Sequence, residues 1–310
     1  MTAAKAPQAD GVKTDRSSRT FHIGDAILPG ATLDPGLYVV ATPIGNLADV
    51  TLRALAILAG ADAILAEDTR VSRTLLARYG IERPLSPYHE HNAAEARPRA
   101  LKRIAEGQAL ALISDAGTPL ISDPGYKLVA EAIELGFAVV AAPGPSAALA
   151  ALCVAGLPSD RFYFEGFLPP RQSARRERLN ALAAVPGTLI FYEAAGRLAE
   201  TLADLAIELG PRPAAVAREL TKLHEEVRRG ALDELAAEYA AGGAPRGEIV
   251  IVVGATKERL MISEAALDRE IAEQLTSLSV KDAAAAIAAK HGLPRRQIYA
   301  RALALAGAQR

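Results

Sequence analysis

The sequence predicts an α/β protein with a mostly parallel sheet, followed by a second sheet and a helical tail. Three observations carry this. Short apolar runs alternate with helix-period segments from Gly36 onward. After "GLPSDRF" the runs crowd together and some alternate in polarity. Beyond Gly254, "SVKDAAAAIAAKHGLPRRQIYARALAL" reads as two helices parted by "HGLP".

The first strands are "LYVVAT", "ADAILAE", "ALALIS" and "FAVVAA", each short and bounded by Gly or Pro. Between them, "TLRALAILAG", "SRTLLARYG", "AAEARPRALKRIAEG" and "GYKLVAEAIELG" read as helices that close on Gly, with Pro98 expected in the first turn of the third. The later strands are "RFYFEGF", "GTLIFYEA", "PAAVARELT", "HEEVRRG" and "GEIVIVVG". The expected division is a flexible leader at 1–34 without a strand, an α/β domain at 35–156, a second at 157–254 and a helical module at 255–310.

Half of the 310 residues are apolar, 23% are charged, and the formal net charge is −1. That composition excludes disorder, and no run is apolar enough to span a bilayer. The single cysteine, Cys153, sits in an apolar helical segment and reads as packing, which suits a reducing cytosol. Basic residues cluster at "RQSARRER", with Arg171, Arg175 and Arg176, and again beyond Thr276, with Arg295 and Arg296. Each cluster is either a solvated helix face or a docking surface for a polyanion.

In a parallel α/β sheet, ligands lie beyond the carboxyl ends of the strands, so the loops there are informative. They are "TPIGNLADVT", "EDTR", "ISDAGTPLISDPG" and "PGPSA". None is a GxxxxGK[ST] or GxGxxG cradle, which disfavours a nucleoside triphosphate and a dinucleotide. Their Gly and Pro residues instead present main-chain groups to a small, folded, polar ligand. Asp115 is expected in that site. Asp123 either joins it or caps the next helix. His89 and His91 alternate on an extended segment and so face one side, but no third ligand is evident and no metal is expected.

Six stretches in order, "VATPIGNLADVTLRAL", "AEDTRVSRTLL", "YHEHN", "ISDAGTPLISDPG", "PGPSA" and "ARELTKLHEE", resemble the small-subunit ribosomal RNA cytidine 2′-O-methyltransferases of the tetrapyrrole methylase superfamily. The resemblance runs from about Gly36 to Gly254, and the tail resembles that family's helical module. It implies a homodimer of two-domain subunits, S-adenosylmethionine folded in the cleft between the domains, and ribosomal RNA of the 30S particle as methyl acceptor; the cysteine usage adds a cytoplasmic location. By motif match, the cofactor lies against Thr42, Pro43 and Gly45; Asp115, Ala116, Gly117, Thr118 and Pro119; and Pro143, Gly144 and Ser146. From the second domain come Tyr192, Glu193, Ala217 and Glu248, at the matching strand ends.

Methyl transfer to a ribose hydroxyl calls for a base and for phosphate contacts. Glu67, Asp68, His89 and Glu219 are the candidate catalytic groups, with Arg70 on a flanking phosphate. Glu67 and Arg70 could instead be a helix N-terminal pair. Lys222 joins Arg171, Arg175, Arg176, Arg295 and Arg296 as expected RNA contacts. Two rivals share the scaffold: a tetrapyrrole C-methyltransferase, and a non-catalytic RNA-binding assembly factor.

Overall fold

The computed structural model describes residues 19–256, 264–291 and 293–308. Its first strands fall within the stretch expected to be a strandless leader. β1 (Thr20–Ile23) and β2 (Ala26–Pro29) form an antiparallel hairpin. Phe21 is buried against α1 (Leu52–Gly60), and Arg19 pairs with Asp62 at 2.6 Å. Gly60 allows this approach, since a Cβ there would stand 2.1 Å from the carbonyl of Ala31. Each strand is only four residues long, too short to show a period in sequence. The rest of the expected leader, residues 1–18, lies outside the described residues.

The first sheet contains β3 (Gly36–Val40), β4 (Ala63–Ala66), β5 (Leu85–Pro87), β6 (Ala109–Ile113) and β7 (Val139–Ala142). All its pairings are parallel, in the order β5-β4-β6-β3-β7. Strands β4 and β6 are buried along their whole length, as apolar runs covered on both faces should be. One face is covered by α1 and α2 (Thr69–Arg78), through Leu55, Leu58, Leu75 and Leu76. The other is covered by α3 (Ala93–Ala105) and α4 (Tyr126–Glu134), through Leu101, Ile104 and Leu128. Each such fully buried aliphatic side chain is worth about 1.5–3 kcal/mol.

All four expected helices of this unit form. Pro98, expected in the first turn of α3, is instead its sixth residue, because the helix already starts at Ala93 behind Asn92. Strand β5 was not foreseen; three residues ending in Pro carry no pattern.

α5 (Ala147–Ala155) precedes the boundary expected at 156, but its small residues pack on the second sheet. That sheet holds β8 (Phe162–Phe167), β9 (Thr188–Ala194), β10 (Pro213–Arg218), β11 (Glu226–Ala231) and β12 (Glu248–Val253), in the order β11-β10-β12-β9-β8. Only β8 and β9 pair in parallel; the rest is antiparallel, as the crowding of the strands implied. α6 (Gln172–Leu182), α7 (Leu198–Leu209) and α8 (Leu232–Gly242) cover its other face.

The tail folds as α9 (Glu264–Leu275), α10 (Val280–His291) and α11 (Arg295–Ala308), joined by Ile271, Ile287, Ile298 and Ala302. Among the described residues no helix is long and apolar enough to cross a membrane.

Candidate active site at the carboxyl edge of the first sheet

The loops leaving β3, β4, β6 and β7 are tied to one another. Thr42 and Gly117 exchange backbone hydrogen bonds of 2.8 and 3.0 Å, joining the turns after β3 and β6. Gly117 has φ +81°, a conformation that glycine adopts without strain, and a Cβ there would press on Ile44 at 3.3 Å. The Thr118 hydroxyl donates to the Pro145 carbonyl at 3.0 Å, which brings in the loop after β7. The Asp68 backbone N–H donates to Asp115 Oδ1 at 2.8 Å, which brings in the loop after β4. The Gly- and Pro-rich segments therefore form one knot, and two cavities open around it.

The first cavity, about 360 Å³, lies between the knot and the second sheet. Gly117, Thr118, Asp123 and Ser146 line it from the first unit, and Tyr192, Ala217 and Glu248 from the second. Tyr192 forms its aromatic corner, meeting Phe164 and Phe167 edge-to-face with centroids 4.9 and 5.6 Å apart. The second cavity, about 330 Å³, holds Thr42, Pro43, Gly45, Asp115 and Lys222. Ile44, Ala116 and Glu248 line both. Gly144 lines a separate recess, and neither Pro119 nor Pro143 lines any of the three. Sequence reasoning missed Ile121, Leu220 and Ile249, apolar wall residues with no signature of their own.

Asp123 does not cap a helix. Gly125 occupies the N-cap of α4 and makes no side-chain cap bond. The Asp123 carboxyl faces the first cavity, and burial raises its pKa to about 6, with Glu67 and Asp115 adding to the rise against a Ser114 hydrogen bond. Glu67, at the end of β4, is also shifted upward, first by burial and then by Asp115.

Asp68 and Glu219 are held ionised. Asp68 caps α2, accepting from the Arg70 N–H at 2.8 Å and pairing with its guanidinium, and its pKa falls to about 2. The helix N-terminal pair weighed for Glu67 and Arg70 is thus formed by Asp68 and Arg70. Glu219 accepts from the Glu248 N–H and from Lys222, both at 2.9 Å, and its pKa is lowered, chiefly by the former. Lys222 also pairs with Glu248 at 3.1 Å. The Glu193 carboxylate is buried on Thr201 at 2.6 Å and its own strand end, although the residue borders the first cavity. The rings of His89 and His91 meet edge-to-face at 6.0 Å.

The basic cluster on α6 needs a correction. Arg175, expected on RNA, is 1% exposed and pairs with Asp204 of α7 at 2.7 Å. It stands one turn before Leu179 on the inward stripe that Leu182 continues, so helical periodicity points it into the protein. Arg176 is partly covered and pairs with Glu208 at 2.7 Å. Arg171, Arg295 and Arg296 are exposed.

Comparison with known proteins follows the same outline. The profile for Tetrapyrrole (Corrin/Porphyrin) Methylases matches residues 36–236, and that of the RsmI C-terminal HTH domain matches residues 262–306. Ribosomal RNA small subunit methyltransferase I of Mesorhizobium japonicum is 52% identical over 91% of this chain and 96% of its own. The chain belongs to the ribosomal RNA small subunit methyltransferase I family of tetrapyrrole methylases.

The tetrapyrrole methylase fold extends to more distant structures. A diphthine synthase matches with TM-score 0.56 and 16% identity, over 70% of this chain and 89% of its own. Uroporphyrin-III C-methyl transferase from Thermus thermophilus, complexed with S-adenyl homocysteine, matches with TM-score 0.51 and 21% identity, over 71% and 97%. In methyltransferase I terms, the knot and both cavities lie within the matched methylase segment, apart from Gly247 and the β12 residues.

Proposed function

We propose that this protein transfers a methyl group from S-adenosylmethionine to the 2′-hydroxyl of a cytidine ribose in small-subunit ribosomal RNA. The observation that carries the reading is the pair of adjoining cavities at the carboxyl edge of a parallel sheet, one walled by both sheets. Membership of the methyltransferase I family supplies the acceptor class.

The residues of the first cavity fit S-adenosylmethionine. A nucleoside carrying an amino-acid tail needs an apolar wall, main-chain partners and a carboxylate for its hydroxyls or ammonium. Ile44, Leu220 and Ile249 supply the wall, the turn before Gly117 supplies exposed chain at Ala116, and Asp123 supplies the carboxylate. Bound there, the cofactor provides an electrophilic methyl group on a sulfonium.

The protein's part is mainly placement. The lip at Ile44 and Ala116, common to both cavities, is where the acceptor hydroxyl meets the cofactor side, and alignment of that kind lowers a barrier by about 7–11 kcal/mol. Of the four expected catalytic side chains, Glu67 lines neither cavity but neighbours Asp115 of the second, and burial raises its basicity, which suits it to take up the hydroxyl proton. A positioned base adds about 10²–10⁴-fold. Asp68 and Glu219, held ionised by hydrogen bonds, instead fix their own turns, Asp68 at the start of α2 and Glu219 against the start of β12.

We further read residues 35–156, 157–254 and 255–310 as separate units, with the β1-β2 hairpin packed on the first and α5 reaching across to the second, the 30S particle as acceptor, a homodimer as the working form and the cytoplasm as its place. The lone Cys153 agrees with the last. A second cavity of about 330 Å³, near the lower end of the ~300–1,000 Å³ of small-molecule sites, suits one nucleoside better than a tetrapyrrole macrocycle. The test is transfer of labelled methyl from S-adenosylmethionine to 30S subunits, naked RNA or a porphyrinogen, with the product mapped. Label on a cytidine ribose is expected; label on the porphyrinogen alone, or none at all, overturns the reading.

A further inference from the structure

Ser72, in the second turn of α2, is 3% exposed, and its Oγ has no hydrogen-bond partner among the described residues. A buried hydroxyl left unpaired costs about 1–3 kcal/mol, so folded proteins rarely keep one without a use. Its setting suggests the use. Ser72 lines the second cavity, where Leu47, Val71, Leu75 and Ile113 provide apolar surface. None of these five residues borders the first cavity. A polar group in an apolar recess is the arrangement that fixes a flat, edge-polar ring.

We propose that the second cavity seats the acceptor nucleoside, with its base in the apolar recess and the Ser72 hydroxyl bonded to the base edge. This rests on the reading of the protein as an RNA ribose methyltransferase. The orientation follows from which residues the cavities share. The reacting ribose must reach the common lip at Ile44, Ala116 and Glu248, so the base takes the opposite end. A base in such a recess has left its stack, and the apolar walls and the new hydrogen bond offset part of that cost. A hydroxyl both donates and accepts, so Ser72 serves any base with a polar edge and adds affinity rather than a choice between pyrimidines.

The decisive comparison is Ser72→Thr against Ser72→Val in the full chain, a nearly isosteric pair that differs by the hydroxyl. With 30S subunits as acceptor, the Val variant is expected to show a KM about 3–10-fold above that of the Thr variant, the worth of one neutral hydrogen bond. Both should bind S-adenosylmethionine alike in calorimetry. Ser72→Ala should melt no lower than wild type, since it removes an unpaired buried group; a purely structural serine would lower Tm and leave KM unmoved. Equal KM for the Thr and Val variants, while wild type methylates RNA, overturns this proposal alone. Wild type that binds the cofactor yet methylates no RNA overturns the functional reading, and this proposal with it.

Discussion

Asp123 combines a half-buried carboxyl with a place in the wall of the first cavity. Its pKa of about 6 lies above the ordinary carboxylate value, so the fold holds the proton more tightly than the unfolded chain does. The resulting stabilisation is fully present below about pH 4 and is lost as pH rises through about 6. Asp123→Asn should therefore raise stability at pH 7.5, by well under the ~3 kcal/mol of the full shift because solvent screens a half-exposed carboxyl, and add little at pH 4. Thermal melts at the two pH values check this; an equal gain at both removes the buried-acid account. If the carboxylate holds the cofactor's ammonium or hydroxyls, wild-type affinity for S-adenosylmethionine should weaken below pH 6, and the Asn variant should flatten that dependence.

Helix α6 shows how one element divides a charge cluster. Its inward stripe carries Arg175 with Leu179 and Leu182, while Arg171 stands exposed at the N-cap. Arg175 is compensated by Asp204, itself 1% exposed and bonded also to Gln172 at 3.2 Å. Removing one partner of a buried pair strands the other charge, at about 3–5 kcal/mol. Asp204→Ala should lower stability by that order in denaturant titration, and an unchanged midpoint would show the pair to be dispensable. Arg171→Glu should leave the midpoint alone. The cluster "RQSARRER" thus contains one partner of a buried ion pair and a surface charge that look identical in sequence.

At the scale of the molecule, two sheets enclose the first cavity, and a separately packed three-helix tail presents Arg295 and Arg296 at the start of α11. Both side chains are exposed, and helix N-termini favour anions. Reversing both charges should weaken RNA binding across sequences and reduce the salt slope by about two, roughly one per phosphate contact. Titration of the full-length variant against 30S subunits at several salt concentrations reads this. A wild-type slope would return α11 to a solvated face.

Much was determined by local sequence. Runs such as "ALALI" and "AILA" had to be buried strands, and a dozen residues of Gly, Pro and Asp after Ile113 had to be a shaped loop, because those chemistries leave the backbone few choices. The antiparallel part of the second sheet was legible from the spacing of its strands. Tertiary structure alone decided which side chains meet. It drew Phe21 under α1, set Asp115 in the wall of the second cavity, tied Asp68 to Arg70, and left the Ser72 hydroxyl unpaired. A residue's type fixes the bonds it can make, but its partners come from segments tens of residues away, and neither burial nor an unmet hydrogen bond exists until those segments pack.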